Sequence, residues 1–365
     1  MIKVITIFGT RPEAIKMAPL VKELQSRPNI SCTVCVTAQH RQMLDQVLNV
    51  FKLTPDYDLN IMKHGQTLAD VTATVLTRMG KIFDKEKPDI VLVHGDTCTA
   101  FASALAAFYR QIPVGHVEAG LRTWDLASPF PEEGFRQMID NITDLFFAPT
   151  QETKQNLLNE NKPESKIFVT GNTVIDALKT TVRADYTHPV LDWCTGSRLI
   201  LLTAHRRENL GQPMRHFFSA VKRITQEFPD VKVVYPIHMN PEVRKIADEI
   251  LQDNDRIRLI EPLDAFDFHN FMNRAHIILT DSGGIQEEAP SLGKPVLVVR
   301  STTERPEGVA AGTLKLTGTS EESVYAHTKE LLTNQSVYNA MSKASNPYGT
   351  GDASRQITDA IISNL

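Results

Sequence analysis

Short apolar runs alternate with amphipathic stretches along most of the chain, and this alternation predicts the fold class. In the first half the pattern predicts β-strands near residues 2–8, 31–37, 90–94, 113–117, 145–148 and 167–170, each followed by a helical stretch. In the second half it predicts strands near 199–203, 231–235, 257–260, 277–280, 295–299 and 313–316, again with helices between them. Strands that alternate with helices form parallel sheets covered by helices on both faces. The chain is therefore predicted to be α/β, with two doubly wound halves.

The alternation of strand and helix patterns is interrupted twice, and these interruptions predict the domain boundaries. Residues 185–197 contain Pro189, Asp192, Cys194 and Gly196 and are interpreted as a connection. A second break at residues 346–351 precedes a final helix near 353–364, which is expected to cross back to the first domain. The predicted domains are residues 1–175 together with 350–365, and residues 176–349.

Composition excludes several classes of protein. A chain of 365 residues is too long for one ordinary core and suits two domains. The net charge of −4, with 22% charged residues, lacks the basic excess of a nucleic-acid binder. No run approaches the ~18 apolar residues of a membrane span, and the N-terminus alternates like a strand rather than a signal peptide. A cytoplasmic protein is expected.

The four cysteines fit that expectation. Cys32 and Cys35 have C-x-x-C spacing but fall in a strand-like run, where positions three apart point to opposite faces. Neither a redox dithiol nor a metal clip is predicted. Cys98 and Cys194 have no partner nearby in sequence and are interpreted as buried or incidental thiols.

Ligands of open α/β sheets bind beyond the carboxyl ends of the strands, so the residues that follow each strand are the candidates. The strand near 277–280 leads directly into Asp281-Ser282-Gly283-Gly284 and a helix-forming run. Unpaired N–H groups and the positive end of a helix dipole meet at such a turn, which suits a phosphate or pyrophosphate. Arg305, after the next strand, could donate to the same anion. The alternative is a serine N-cap with glycines kept for tight packing.

The first half offers charged residues at the same kind of position. Gly9-Thr10-Arg11 enters a helix without the fingerprint of a dinucleotide site or a P-loop; Arg11 is either a ligand contact or a surface charge, and Lys16 is interpreted as a solvated charge. Asp96 is either a functional acid or the cap of the next helix. Glu118 ends an apolar strand and has few local backbone groups to cap or bond, so a functional role is favoured.

Two further sites follow. Glu132 and Glu133 fall in the first turn of a helix, where acids commonly face the dipole, and Glu132 could pair with Arg136 four residues on. His205, followed by two arginines at a strand end, is a candidate for phosphate binding or proton transfer. The H-x-E spacing of His116 and Glu118 lacks the downstream P-C-x-x-C of zinc deaminases. The remaining histidines are interpreted as core or surface residues.

Five motifs together resemble the bacterial non-hydrolysing UDP-N-acetylglucosamine 2-epimerases, in order over nearly the whole chain. They are Gly9-Thr10-Arg11-Pro12-Glu13, His116-Val117-Glu118-Ala119-Gly120-Leu121-Arg122, Pro131-Glu132-Glu133, His205-Arg206-Arg207-Glu208-Asn209 and residues 280–288. The resemblance implies a GT-B fold with a cleft between two Rossmann-like domains, and a homodimer. It also implies interconversion of UDP-GlcNAc and UDP-ManNAc for surface polysaccharide or teichoic acid linkage synthesis, by elimination and re-addition of UDP through 2-acetamidoglucal.

The resemblance also implies roles for individual residues. Asp96, Glu118 and Glu132 are expected near the sugar, with the choice of acid and base left open, and His205 beside the diphosphate. Arg11, Lys16 and Arg136 are implied substrate contacts, with Ser282, Gly283, Gly284 and Arg305 around the pyrophosphate, Glu288 at the ribose and Phe268 near the uracil. No metal or redox cofactor is implied.

Some relatives are activated by their own substrate in a second site. The matching positions here are Gln39, His40, Gln42, Glu132, Arg206 and His238. Where such relatives carry an arginine before Gln-Thr-Leu, this chain has Gly65, which weakens the expectation of regulation by UDP-GlcNAc.

Two other classes share part of this pattern. A UDP-sugar glycosyltransferase would use the same fold and phosphate turn but would need an acceptor. A non-catalytic regulator that binds nucleotide sugars would use the same turn and have no need for three carboxylates.

Overall fold

The computed structural model describes residues 1–38, 41–63 and 65–365, without the side chains of residues 41–43. Within these residues the chain divides into two compact units: unit 1, residues 1–180 with 348–365, and unit 2, residues 181–347. The sequence places the boundaries at 175/176 and 349/350, whereas the structure places them at 180/181 and 347/348. No described helix is both long enough and apolar enough to cross a lipid bilayer.

The described part of unit 1 contains one seven-stranded parallel sheet. Its strands are β1 (Ile2–Phe8), β2 (Ile30–Val36), β3 (Tyr57–Asp58), β4 (Ile90–His94), β5 (Val114–Val117), β6 (Leu145–Ala148) and β7 (Ile167–Val169). The order across the sheet is β3-β2-β1-β4-β5-β6-β7. The helices are α1 (Arg11–Ser26), α2 (Arg41–Phe51), α3 (Leu68–Glu86), α4 (Cys98–Phe108), α5 (Glu132–Asn141), α6 (Gln151–Asn159) and α7 (Thr173–Thr181).

Alternating side chains of β1 build two cores on opposite faces of this sheet. Val4 and Phe8 pack with the apolar face of α1, whereas Ile5 and Ile7 pack with α3 and α4. Cys32 and Cys35 divide between the same two cores, as their spacing predicts. Burial raises the pKa of each of these two thiols to about 12, so they are packing residues.

The described part of unit 2 forms a six-stranded parallel sheet. Its strands are β8 (Arg198–Thr203), β9 (Val231–Pro236), β10 (Ile257–Ile260), β11 (Ile277–Thr280), β12 (Val296–Val298) and β13 (Leu314–Leu316), in the order β10-β9-β8-β11-β12-β13. The helices are α8 (Pro189–Trp193), α9 (Gln212–Glu227), α10 (Pro241–Leu251), α11 (Ala265–Arg274), α12 (Gly283–Ser291), α13 (Pro306–Ala310), α14 (Glu321–Thr333) and α15 (Gln335–Ser342).

The last helix, α16 (Ala353–Asn364), belongs to unit 1. Ile357 and Ile361 lie fully buried in the core that α1 shares with β1. Asp176 fixes the start of the helix, because its carboxylate accepts the N–H groups of Ala353 at 3.2 Å and Ser354 at 2.9 Å. The chain therefore returns to its first unit after completing the second.

Each sheet has one point where the strand order reverses. In unit 1 the neighbours β1 and β4 flank it, and in unit 2 the neighbours β8 and β11 do so. Loops that follow strands on the two sides of such a point diverge and leave room for a ligand. Arg11 follows β1, Asp96 follows β4, His205 follows β8 and residues 281–284 follow β11, whereas Glu118 and Arg305 follow the neighbouring strands β5 and β12.

Candidate functional site

In unit 1 the turn after β1 is held rigid by Glu13. This buried carboxylate accepts the N–H groups of Gly9 at 3.0 Å and Thr10 at 2.8 Å and the hydroxyl of Thr97 at 2.8 Å. A Cβ atom on Gly9 would lie 2.1 Å from a threonine hydroxyl, so the close approach of the backbone requires glycine there. Arg11 is the first residue of α1, half-buried, with no ion pair to a described side chain.

Glu118 directly follows β5 and lies inside a cluster of polar groups. Its side chain is 13% exposed and forms an ion pair with Lys16 of α1. It also accepts a hydrogen bond from the Asn172 amide at 2.8 Å, and the His94 ring lies 3.7 Å away. Burial raises the pKa of the Glu118 carboxyl, but the charges of Lys16 and His94 outweigh burial and hold it well below its usual range.

Glu118 also has an unusual backbone. Its φ of +68° lies in the left-handed region, which is costly for a residue with a Cβ atom. Strain of this kind is retained where the surrounding structure fixes it, and it commonly marks functional turns.

The interpretation of Lys16 as a solvated surface charge is wrong. The Lys16 side chain is 19% exposed and its ammonium contacts the Glu118 carboxylate. The sequence could not show this, because the two residues meet only when α1 packs beside the end of β5.

The capping interpretation of Asp96 is also wrong. Thr97 caps α4 instead, with its hydroxyl accepting the Ala100 N–H at 3.0 Å. The Asp96 carboxylate lies 2.8 Å from the Arg136 guanidinium. Burial raises the pKa of Asp96 above its usual value despite that positive charge. The Asp96 carboxylate therefore does not cap α4.

Arg136 does not pair with Glu132 as the helical spacing suggested. It contacts Asp96 and, at 3.6 Å, Glu133. Glu133 is fully buried and accepts the N–H groups of Thr123 at 2.9 Å and Trp124 at 3.1 Å, so it fixes the loop before α5. Glu132, the first residue of α5, is half-buried and has no hydrogen bond or ion pair to a described residue.

His94 is a member of this cluster that the sequence analysis left among the core histidines. It is the last residue of β4 and is 4% exposed. Its Nε2 atom has no hydrogen-bond partner among the described residues and lies 3.7 Å from Glu118. A polar residue at the end of a fully apolar strand was the signal that could have identified it.

In unit 2 the turn after β11 leaves its backbone open. Ser282 stands at the N-cap position of α12, but its side chain makes no capping bond. A Cβ atom on Gly283 would approach nothing closer than 3.8 Å, and one on Gly284 nothing closer than 3.5 Å. These are ordinary contact distances, so close packing does not require glycine at either position. The interpretation of this turn as a serine cap with glycines kept for tight packing is therefore wrong. The side of the turn where side chains at Gly283 and Gly284 would stand is therefore open, next to the N–H groups that a helix start leaves unpaired, which suits an anion site.

Two arginines lie beside this turn. The nearest guanidinium nitrogen of Arg206 is 3.8 Å, and that of Arg305 4.0 Å, from a Cβ position on Gly283. Arg305 is oriented by its ion pair with Glu287 and by donation to the Glu304 carbonyl at 3.0 Å. Both cations are thus placed next to the open N–H groups.

Asp281 organises the loop that carries His205. Its fully buried carboxylate accepts the N–H groups of His205 and Arg206, both at 2.9 Å, and the Asn209 amide at 3.1 Å. The His205 ring stacks on His238, with centroids 5.5 Å apart. Burial lowers the pKa of His205 despite the nearby Asp281 carboxylate, so the ring is neutral at neutral pH.

The residues expected at the nucleoside lie on α11 and α12. Glu288 is 15% exposed, lies one turn after Gly284 and approaches His269 at 3.3 Å. Phe268 precedes His269 on α11 and is half-buried.

The expected regulatory positions are only partly described. Gln39 and His40, and the side chain of Gln42, lie outside the described residues. Gly65 has a φ of +72° and open space around its Cβ position. No group of three His, Cys, Asp or Glu residues within the described ranges is arranged to hold a metal ion.

Comparison with known proteins decides the family. The family model for UDP-N-acetylglucosamine 2-epimerase matches residues 22–362. The chain belongs to the UDP-N-acetylglucosamine 2-epimerase family. The Bacillus subtilis UDP-N-acetylglucosamine 2-epimerase is 64% identical over 361 residues, covering 99% of this chain and 95% of that protein.

Solved structures of the family have the same fold. A crystal structure of a UDP-N-acetylglucosamine 2-epimerase matches with a TM-score of 0.94 at 62% identity, covering 99% of this chain and 95% of the other. The Neisseria meningitidis UDP-GlcNAc 2-epimerase bound to UDP-GlcNAc matches with a TM-score of 0.87 at 48% identity over all of both chains. The two units are thus the Rossmann-like domains of a GT-B protein, and the chain is an isomerase of this family.

Proposed function

We propose that this epimerase inverts carbon 2 of UDP-GlcNAc by eliminating UDP across C1 and C2 and adding it back to 2-acetamidoglucal. The C2 proton is not adjacent to a carbonyl carbon, so simple removal and return is too slow. In the elimination a base takes the C2 proton, the C2–H electrons form the C1=C2 bond, and UDP departs with the C1–O electron pair. Inversion then needs a second group that protonates C2 from the opposite face.

The single observation that carries this proposal is the opposite behaviour of two neighbouring acids. Burial raises the pKa of Asp96, whereas the pKa of Glu118 is held well below its usual range. Carboxyl groups whose pKa values are driven apart take different catalytic roles. Asp96 is suited to exchange a proton, and the ionised Glu118 is suited to stabilise positive charge at C1. Glu132, half-buried and without a described partner, is the candidate for the second proton transfer.

Unit 2 supplies the nucleotide contacts of the proposal. The open N–H groups of Gly283 and Gly284 bind the departing diphosphate, with Arg206 and Arg305 beside them. The neutral His205 ring is suited to donate to a diphosphate oxygen as negative charge develops on it. The bound UDP-GlcNAc of the Neisseria meningitidis relative supports a nucleotide-sugar ligand here.

Three further predictions remain part of the proposal. The enzyme supplies ManNAc for surface polysaccharide or teichoic acid linkage synthesis in the cytoplasm, works as a homodimer, and is activated by UDP-GlcNAc in a second site. The regulatory role of Arg206 competes with its position beside Gly283. The positive φ of Gly65 shows that an arginine at that position would carry backbone strain in this chain.

Incubation of the protein with UDP-GlcNAc alone in deuterated water tests the proposal. An epimerase that works by elimination produces UDP-ManNAc with deuterium at C2, which NMR and mass spectrometry detect. A glycosyltransferase leaves the sugar unchanged without an acceptor, and a binding protein returns UDP-GlcNAc unlabelled. UDP-ManNAc that retains the original C2 hydrogen would contradict the elimination.

A further inference from the structure

His116 lies wholly buried in β5, with both ring nitrogens bonded to oxygen atoms. Nδ1 is 2.6 Å from an oxygen of the Asp140 carboxylate, and Nε2 is 2.7 Å from the Gly95 carbonyl oxygen. A carbonyl oxygen and an ionised carboxylate only accept hydrogen bonds. Both ring nitrogens must therefore carry a hydrogen, which makes the ring an imidazolium.

The surroundings of Asp140 place the shared proton on the ring. The second carboxylate oxygen of Asp140 accepts from Arg122 at 2.8 Å and from the Gly120 N–H at 3.2 Å. Burial raises the pKa of Asp140, but the positive charges of His116 and Arg122 bring it below its ordinary value. Arg122 also binds Glu160 through two bonds of 2.6 and 2.7 Å. The quartet His116, Arg122, Asp140 and Glu160, in which only the Glu160 side chain is partly exposed at 21%, therefore balances a protonated His116 and Arg122 against two carboxylates.

The quartet holds the two turns that carry the proposed acids. The His116 ring fixes the carbonyl of Gly95, the residue before Asp96, and the Gly95 N–H donates to the carbonyl of Val117 in β5 at 2.9 Å. Asp140 fixes the N–H of Gly120, two residues after Glu118. Glu118 at φ +68° is in the left-handed region, which is costly for a residue with a Cβ atom, so its turn needs such external support, whereas Gly95 adopts its φ of +62° without that cost.

We propose that His116 is held as an imidazolium at neutral pH and is a positioning residue for Asp96 and Glu118. This inference rests on the proposed function for the roles of those two acids. Loss of the proton would leave a bare nitrogen facing an oxygen at 2.6 or 2.7 Å, and the resulting repulsion would displace one turn. Among the described residues, the charged groups bonded to the ring or to its partners are Asp140 on α5, Arg122 after β5 and Glu160 after α6. The charged or titratable groups at the two turns are Asp96, Glu118, Lys16, His94 and Arg136.

The protonation state can be read directly from ¹⁵N NMR of the full-length protein labelled at histidine. Both His116 ring nitrogens should show protonated shifts between about pH 6 and 8, where an ordinary histidine titrates. His276 is an internal control, because burial and the charges of Arg198 and Lys294 lower its pKa to about 4, leaving one bare nitrogen. The His116→Gln variant assigns the signals. A bare nitrogen on His116 throughout this range would overturn the proposal.

A second experiment tests positioning through Asp140→Asn. Without the carboxylate the imidazolium loses its counter-ion, so the alkaline limb of the kcat profile should move to lower pH. Displacement of the turns should lower kcat about hundredfold, the typical effect of a small misplacement, while UDP affinity stays within about twofold because the proposed UDP contacts lie in unit 2. His276→Asn is the matched control and should leave the alkaline limb in place. A merely structural role would reduce the amount of folded enzyme without moving this limb.

His116→Gln keeps the second experiment decisive if Asp140→Asn does not fold. A glutamine amide can replace only one of the two bonds and does not titrate, so kcat should fall and lose its alkaline limb. An alkaline limb at the wild-type pH in both variants, or in the only one that folds, would overturn the positioning role. The NMR readout needs no substrate, so the proposed epimerisation can fail in the deuterium experiment without affecting it.

Discussion

Removing the ammonium beside Glu118 perturbs the proposed acid pair at one point. Lys16→Met keeps the length and packing of the side chain but removes the charge that contacts the Glu118 carboxylate. Burial still raises the pKa of Glu118, and the attraction that opposed it is reduced. The pKa of Glu118 should therefore rise.

The size of the effect follows from the burial of the pair. Two unit charges about 4 Å apart attract by about 4 kcal/mol at an effective dielectric constant of 20. The Lys16 side chain is 19% exposed and that of Glu118 13%, and the Asn172 bond of 2.8 Å survives the change. Loss of one partner of a fully buried pair costs about 3–5 kcal/mol, so we expect about 2–3 kcal/mol less stability at neutral pH.

The lowered pKa of Glu118 determines how the stability of the protein changes with pH. A carboxyl whose folded pKa is lowered contributes stability above its unfolded pKa and loses it as pH falls through the folded value. In Lys16→Met the folded pKa is higher, so this contribution shrinks and protonation of Glu118 begins at a higher pH. The acid limb of the kcat profile should move to higher pH in the same way.

Urea unfolding at several pH values and the pH profile of UDP-GlcNAc turnover measure both effects. Lys22→Met on the same helix is the matched control, since Lys22 is exposed and lies 5.8 Å from the Phe51 ring, away from Glu118. An acid limb that moves equally in both variants, or in neither, would refute the link between Lys16 and the ionisation of Glu118.

Three other predictions concern the phosphate turn, the loop before α5 and regulation. Gly284→Val should block binding of the diphosphate while leaving the fold intact, and Arg305→Ala should weaken UDP binding by about 1.5–3 kcal/mol. An unchanged calorimetric affinity for UDP in both variants would show that the diphosphate binds elsewhere. Glu133→Ala should cost about 2–4 kcal/mol in urea unfolding, because two N–H groups lose their acceptor, whereas Glu133→Gln should cost less. Progress curves from UDP-ManNAc alone should show a lag that trace UDP-GlcNAc removes. Gly65→Arg should lower the UDP-GlcNAc concentration that removes the lag, relative to Gly65→Ala, which carries the same backbone strain. The absence of any lag would count against the regulatory site.

Hydrophobic periodicity was sufficient to predict most of the fold. Every predicted strand exists within about two residues of its expected bounds, because a strand buried on both faces is a distinctive apolar run. The sequence analysis missed β3, which is only Tyr57–Asp58 and has no such run.

The site was less accessible from sequence, since its contacts are long-range. Glu118 was identifiable as an acid at a strand end, but its partner Lys16 lies 102 residues away and was interpreted as a surface charge. Helical spacing suggested that Arg136 pairs with Glu132, whereas in the fold its ion-pair partner is Asp96, in the turn after β4. Local patterns thus located the candidate acids, and only packing showed how each is held.

The central claim is that the carboxylates of unit 1 transfer the C2 proton while unit 2 binds UDP. Deuterium incorporation at C2 from saturating UDP-GlcNAc, measured in Asp96→Asn, Glu118→Gln and Glu132→Gln, tests it most directly. Asp84→Asn, which removes only a surface partner of Arg110, is the control. Each of the three variants should bind UDP as the wild type does and incorporate deuterium at least about a hundredfold more slowly. Incorporation at the wild-type rate in all three would contradict the claim.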